Sequence, residues 1–151
     1  MSTINTGAKA PDFTLKDQME NDLNLASLRG KKVLLSFHPL AWTNVCAEQM
    51  KSLEANREEL EQHNTVALGL SVDSVPCKGA WAKELGIEHT RILADFWPHG
   101  AVAAAYGIFR DKNGFSERAN IIIDENGTVI FTKVYPIREL PDIQEILAVL
   151  R

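Results

Sequence analysis

The sequence lacks the features that mark secreted, membrane-spanning and disulfide-rich proteins. Only two of its 151 residues are cysteines, too few for a disulfide framework. No apolar run approaches the ~20 residues that cross a membrane. Seven charged side chains within the first thirty residues leave no place for the apolar core of a signal peptide. We therefore expect a cytoplasmic protein that does not associate with membranes.

Patterns for binding cofactors and nucleic acids are also missing. Neither glycine-rich phosphate-binding motif, G-x-G-x-x-G or G-x-x-x-x-G-K-[ST], occurs, and the four histidines show no paired ligand spacing with the cysteines. The 16 basic and 20 acidic side chains give a net charge of −4, which argues against binding nucleic acid through its phosphates. The sequence therefore predicts no cofactor, no metal and no nucleic-acid partner.

What the chain does contain is a regular alternation of strand and helix patterns. It has no repeat and no linker, so we expect one domain over residues 1–151. Short apolar runs predict buried strands at 33–37 and 65–72, and helical spacing predicts helices at about 43–62, 76–86 and 100–106 and from Pro141 onward. Asn126-Gly127 suits a hairpin between strands at 119–123 and 128–134. This order resembles a thioredoxin-like α/β fold, with a mixed β-sheet flanked by helices.

The segment from His38 to Cys46 lies where the first predicted strand ends and a helix begins. Open α/β sheets bind their ligands at this end of the strands. Cys46 falls in the first helical turn, where unpaired backbone N–H groups and the positive end of the helix dipole stabilise a thiolate. The alternative interpretation is a small core residue, because Met50 and Leu53 share its helical face.

Two neighbours of Cys46 also have both a structural and a functional interpretation. Thr43 either caps the helix, with its hydroxyl accepting a backbone N–H, or directs that hydroxyl to a substrate oxygen beside the sulfur. Pro39 either only ends the strand or also shields a thiolate from water, since its ring removes a backbone donor.

The motif Pro39-x-x-x-Thr43-x-x-Cys46 resembles the active-site motif of the peroxiredoxins, the alkyl hydroperoxide reductase/thiol-specific antioxidant family. The resemblance covers almost the whole chain, and the segment Leu93-Ala-Asp-Phe-Trp-Pro-His-Gly-Ala101 is similar to the one-cysteine, alkyl hydroperoxide reductase E-like subgroup. Its other parts are Ala10-Pro-Asp-Phe-Thr-Leu15, Leu28-Arg-Gly-Lys31, Ser71-Val-Asp-Ser74 with Trp81, Tyr106-Gly-Ile108, and Arg118-Ala-Asn-Ile-Ile-Ile-Asp124.

The resemblance implies a role for each motif residue. Cys46 matches the cysteine that attacks the peroxide, and Thr43 with the Cys46 backbone N–H matches donors to the leaving oxygen. Arg118 matches the arginine that stabilises both the thiolate and the departing oxygen, whereas taken alone it would be a solvated residue paired with Glu117. The chain departs from the family pattern at Gln49, where relatives usually carry Glu.

Cys77 has two open interpretations. Some peroxiredoxins place a resolving cysteine in the corresponding helix, whereas the one-cysteine subgroup generally has none. Cys77, Trp81 and Leu85 are spaced as a core stripe, and a bond to Cys46 would then require local unfolding.

The leading hypothesis is therefore a cofactor-free thiol peroxidase that reduces hydrogen peroxide or organic hydroperoxides through a Cys46 sulfenic acid. Either Cys77 or an external thiol condenses with that acid, and a thioredoxin-like protein or a low-molecular-weight thiol restores the enzyme. The resemblance also suggests a homodimer. We expect the aromatic cluster at 96–99 to pack in the core or at a subunit contact.

Two other functions remain as alternatives. A thioredoxin-like disulfide oxidoreductase would need a C-x-x-C pair, which Cys46-Ala-Glu-Gln49 does not supply. A non-enzymatic peroxide sensor or holdase would show oxidation of Cys46 without multiple turnovers.

Overall fold

A computed structural model describes residues 2–151 and contains a central five-stranded sheet with helices on both faces. The strands are β1 (Thr14–Lys16), β2 (Asp22–Asn24), β3 (Lys32–Phe37), β4 (Thr65–Ser71), β5 (Arg91–Ala94), β6 (Phe109–Arg110), β7 (Phe115–Ser116), β8 (Arg118–Ile123) and β9 (Val129–Tyr135). The helices are α1 (Asn44–Ala55), α2 (Arg57–Gln62), α3 (Val75–Leu85), α4 (Ala101–Ala105) and α5 (Ile143–Leu150), with one 3-10 turn at Leu25–Leu28.

The central sheet is mixed, as predicted. Its strand order is β5-β4-β3-β8-β9, with β3, β4 and β5 parallel and β8 antiparallel to both β3 and β9. Because β3, β4 and β5 run the same way, the loops that follow them lie at one edge of the sheet. The loops after β3 and β4 lead into α1 with Cys46 and α3 with Cys77, and the antiparallel β8 begins at the same edge with Arg118. The candidate site residues of three different segments therefore gather there.

Two apolar clusters fill the two faces of the sheet. Alternate residues of β3 separate them, since Leu34 faces one cluster while Leu35 and Phe37 face the other. The first cluster packs α1, α2, α3 and α5 against the sheet and includes Cys46, Met50, Leu53 and Leu60, which confirms the predicted apolar face. The second packs α4 and the N-terminal segment against the opposite face.

The structure corrects the sequence-based assignment at one helix and at the short strands β1, β2, β5, β6 and β7, none of which was predicted. The helix predicted over 43–62 is broken at Asn56, whose side-chain amide donates 2.8 Å to the Ser52 carbonyl and so competes with the backbone helix bonds. The strand β5 was not expected, because four residues are too few to show a periodic pattern.

Two further findings concern the surface. Phe96 and Trp97 are 52% and 80% exposed, so the aromatic cluster does not pack in the core. Over residues 2–151, no helix is both long enough and apolar enough to cross a membrane.

Candidate active site

Cys46 is the third residue of α1 and is fully buried. The first hydrogen bond of the helix runs from the Ala47 N–H to the Thr43 carbonyl at 2.9 Å. The N–H groups of Asn44, Val45 and Cys46 therefore have no acceptor within the helix. No acidic residue lies in this first turn to compensate the helix dipole. The thiol thus sits where both effects favour negative charge.

Arg118 reaches the sulfur from the neighbouring strand. It begins β8, and its Nη1 donates 3.4 Å to Cys46 Sγ. The Nε of the same guanidinium donates a 2.8 Å hydrogen bond to the Ile137 carbonyl, and the Arg118 side chain is buried. No carboxylate among residues 2–151 lies within 4.0 Å of it, and Glu117 pairs instead with Arg110 at 3.3 Å. The solvated pairing of Arg118 with Glu117 is therefore excluded, and the positive charge is directed at the sulfur.

Gln49 holds the guanidinium in place. Its Oε1 accepts 2.7 Å from Arg118 Nη1, while its amide donates 2.7 Å to Ser36 Oγ and 3.1 Å to the Phe37 carbonyl. Gln49 is one turn after Cys46 on the same buried face of α1. The departure from the family pattern at this position therefore leaves a polar contact to Arg118 intact, with a neutral amide as the acceptor.

Thr43 occupies the N-cap position of α1, but its hydroxyl accepts no helix N–H. Instead it donates 2.8 Å to the Leu40 carbonyl, which leaves the hydroxyl oxygen as an acceptor. The Thr43 side chain is exposed, whereas Pro39, four residues earlier, is buried. Helix capping therefore does not explain Thr43.

An open cleft of about 260 Å³ leads to these groups. Its walls are mostly apolar, and Thr43 and Arg118 are among the polar groups that line it. We call this space the active-site cleft. Its full lining is Pro39, Leu40, Thr43, Asn44, Val45, Phe115, Arg118, Ile137 and Arg138. A small molecule in the cleft would therefore meet both polar side chains next to the buried sulfur.

Cys77 lies in the first turn of α3 and is a partly buried free thiol, as Cys46 is a buried one. Its Sγ lies 3.8 Å from Asp73 Oδ1, and its side chain packs against the apolar cluster that contains Cys46. Burial and then the Asp73 carboxylate raise the pKa of the Cys77 thiol. Cys77 is therefore held as a thiol at neutral pH.

Comparison with known proteins places these residues in a family. The AhpC/TSA family matches residues 6–132. Alkyl hydroperoxide reductase E of Mycobacterium tuberculosis is 39% identical over 140 residues, which cover 92% of this chain and 91% of that protein. Peroxiredoxin 2 of Thermoplasma acidophilum is 35% identical over 150 residues, covering 96% and 74% respectively.

This chain belongs to the AhpC/TSA family.

A solved structure agrees with this assignment. The crystal structure of reduced 2-Cys peroxiredoxin from Plasmodium vivax superposes with a TM-score of 0.88 at 29% identity, covering 97% of this chain and 80% of that one. Membership of the AhpC/TSA family confirms the predicted resemblance and the thioredoxin-like fold. It also makes the chain an enzyme of the thiol-dependent peroxidase type, an oxidoreductase acting on peroxides.

Sequence reasoning missed one feature of this AhpC/TSA chain. Lys78 and His38 are both fully buried, and their side-chain nitrogens are 2.9 Å apart. From the sequence alone, the lysine next to Cys77 is expected to be exposed, because lysine is almost never fully buried. Only the packing of α3 against the end of β3 brings the two bases together.

Proposed function

We propose that Cys46 is the residue whose thiolate attacks the peroxide. The supporting observation is the 3.4 Å contact between Arg118 Nη1 and Cys46 Sγ. An arginine keeps its charge at all working pH values, and here no carboxylate of residues 2–151 neutralises it within 4.0 Å. A cation beside a buried sulfur at a helix N-terminus favours the thiolate, which is the nucleophilic form.

The proposed reaction is a displacement at one peroxide oxygen. The Cys46 thiolate attacks the terminal oxygen of R–O–O–H, so that a sulfur–oxygen bond forms while the oxygen–oxygen bond breaks. The sulfur gives up two electrons and becomes a sulfenic acid. The other oxygen leaves as an alkoxide, or as hydroxide from hydrogen peroxide, and takes a proton from solvent to give an alcohol or water.

The surrounding groups act on the two oxygens. Arg118 and the Cys46 backbone N–H stabilise the charge that develops on the leaving oxygen. Thr43 donates its hydroxyl proton to the Leu40 carbonyl, so its oxygen accepts the O–H of the peroxide and orients it. Pro39 offers no backbone donor and keeps bulk water from the thiolate.

The active-site cleft supports both substrate classes. Hydrogen peroxide needs only the polar end, at Thr43 and Arg118. The apolar walls, which include Val45, Phe115 and Ile137, suit the R group of an organic hydroperoxide.

Two routes for recycling remain within the proposal. In one, the Cys77 thiol condenses with the Cys46 sulfenic acid, a disulfide forms and water leaves. In the other, an external thiol condenses with the Cys46 sulfenic acid, and a mixed disulfide and water form. The shared apolar cluster supports the first route, and the raised pKa of Cys77 supports the second. In both, a thioredoxin-like protein or a low-molecular-weight thiol supplies the electrons that restore the thiol.

We propose further that the protein works in the cytoplasm as a homodimer. Trp42 is 55% exposed in the loop after β3, and Phe96 and Trp97 are exposed in the loop after β5. Large exposed aromatic side chains are typical of interfaces. Sedimentation equilibrium would give the mass of a dimer, and a monomer at all concentrations would overturn this part of the proposal.

Peroxide turnover in cysteine variants tests the function. With a thioredoxin system or a thiol as electron donor, wild type should consume many equivalents of peroxide and Cys46→Ser should consume none. Cys77→Ser should keep the first oxidation step. Turnover by Cys46→Ser would contradict the role of Cys46, and one equivalent consumed without turnover in wild type would favour a peroxide sensor.

A further inference from the structure

Two bases face each other in the interior, where the loop between β3 and α1 begins. Lys78 Nζ lies 2.9 Å from His38 Nε2, and both side chains are fully buried. Trp81 packs on both, with its ring 5.7 Å from Lys78 Nζ and 5.3 Å from the centre of the His38 ring. His38 directly follows β3 and precedes Pro39, and Lys78 follows Cys77 in α3.

No carboxylate lies close enough to this pair to compensate two positive charges. Among residues 2–151, no Asp or Glu oxygen lies within 4.0 Å of Lys78 Nζ, and His38 Nδ1 is buried without a partner. Two adjacent cations in such a place would repel each other in a medium of low dielectric constant. When Lys78 is protonated it can only donate, so it then donates to Nε2 of a neutral His38 whose own proton is on Nδ1.

The groups around the pair set the pKa values of its two members. Burial lowers the pKa of Lys78 to about 7, although the charges of Asp73, Cys46, Cys77 and Asp95 favour its ammonium form. Burial, then Lys78, and then Arg118 hold the pKa of His38 well below its ordinary value, against a backbone hydrogen bond with Ser36. These residues come from β3, α1, α3, β8 and the loops after β4 and β5. The pair thus carries at most one positive charge.

We propose that Lys78 and His38 form a shared-proton site that places a positive charge behind Cys46 in acid solution and loses it in alkaline solution. The proposal rests on the proposed function, in which the Cys46 thiolate reacts. An opposite charge nearby favours a thiolate. Lys78 is therefore a positioning residue whose charge supports the reaction of Cys46 with peroxide at the acid end of the pH range and not at the alkaline end.

The test is the pH profile of Cys46 oxidation by hydrogen peroxide in wild type, Lys78→Met and Lys83→Met. Lys83 is an exposed lysine of the same helix and serves as the matched control. Lys78→Met should be slower by about fivefold to tenfold at about pH 6 and within about twofold of wild type at about pH 8.5. Lys83→Met should match wild type at both. Equal loss at both pH values would indicate a merely structural role and overturn the proposal, as would no loss at either.

A second measurement follows the titration in wild-type protein and uses the variant only to assign the resonance. In wild-type protein labelled with ¹³C-lysine, one Cε resonance should titrate with a midpoint near 7 and be absent from Lys78→Met. Titration of every lysine above about pH 9.5 would overturn the shared-proton site. Failure of the proposed function would look different, because peroxide would then leave Cys46 of the wild type unoxidised while the lysine titration still showed the site.

Discussion

The guanidinium of Arg118 donates a 3.4 Å hydrogen bond to the sulfur of Cys46, across 72 residues of sequence. The same Nη1 donates to Gln49, so one side chain joins the start of β8 to two residues of α1. Because the acceptors are a neutral amide and a thiol, the charge of Arg118 remains available for a thiolate and for a leaving oxygen.

Replacing Arg118 by Met should slow oxidation of Cys46 by about 10²- to 10³-fold, since the leaving oxygen loses its charged donor. Stopped-flow tryptophan fluorescence would measure the rate with hydrogen peroxide. Arg110→Met is the matched control, because that arginine pairs with Glu117 outside the cleft. A rate in Arg118→Met equal to that of the control would assign Arg118 a structural role only.

Substitutions of Thr43 distinguish a catalytic role of its hydroxyl from a helix-capping role. Thr43→Val should slow oxidation by about 10²- to 10³-fold if the hydroxyl orients the peroxide, and Thr43→Ser should restore most of the rate. The free energy of unfolding should change by less than about 0.5 kcal/mol, because the hydroxyl caps no helix N–H. Urea titration of both variants gives this value. A loss of stability of about 1 kcal/mol with a normal rate would instead identify a cap.

The sequence predicts those parts of the fold and site that depend on near neighbours in the chain. Apolar periodicity gives the buried face of α1 and the strands β3 and β4, and one motif contains Pro39, Thr43 and Cys46. It does not show the break at Asn56, which depends on one side-chain hydrogen bond, or β5, which has only four residues.

The residues that meet only in three dimensions are harder to predict. Arg118 was expected at the site through family resemblance alone. The register of β3 and β8 places it at the end of β3, near Gln49, and its pairing with Tyr135 of β9 brings it near Ile137. The burial of Lys78 against His38 has no signal in the sequence, because a lysine usually keeps its charged end in water.

The Asp73 carboxylate should control the reactivity of Cys77. In a Cys46→Ser background, Asp73→Asn should alkylate with iodoacetamide about threefold to tenfold faster at neutral pH, since a negative charge that raises the pKa of Cys77 is removed. Asn can still accept the Ala41 N–H that Asp73 accepts at 2.8 Å. The exposed Asp111→Asn is the control, and an unchanged rate in Asp73→Asn would contradict the electrostatic cause.

Lys78 also predicts how stability changes with pH. Its pKa is lower in the folded protein, at about 7, than in the unfolded chain, so between those values the unfolded chain binds more protons and stability rises with pH. Lys78→Met should abolish that rise and be more stable than wild type by about 1–4 kcal/mol below neutral pH, with the gap closing as the solution becomes alkaline. Urea unfolding at several pH values measures both. A variant that is less stable than wild type at every pH would refute this.

The central claim is that peroxide oxidises Cys46, and the most direct measurement is intact and peptide mass after one equivalent of hydrogen peroxide. Cys77→Ser should gain ~16 Da on the peptide that contains Cys46, as a sulfenic acid trapped with dimedone in a parallel sample. Wild type should show either the same gain or a loss of ~2 Da, the latter from a disulfide between Cys46 and Cys77. Oxidation of Cys77 in wild type with Cys46 still alkylatable would contradict the account.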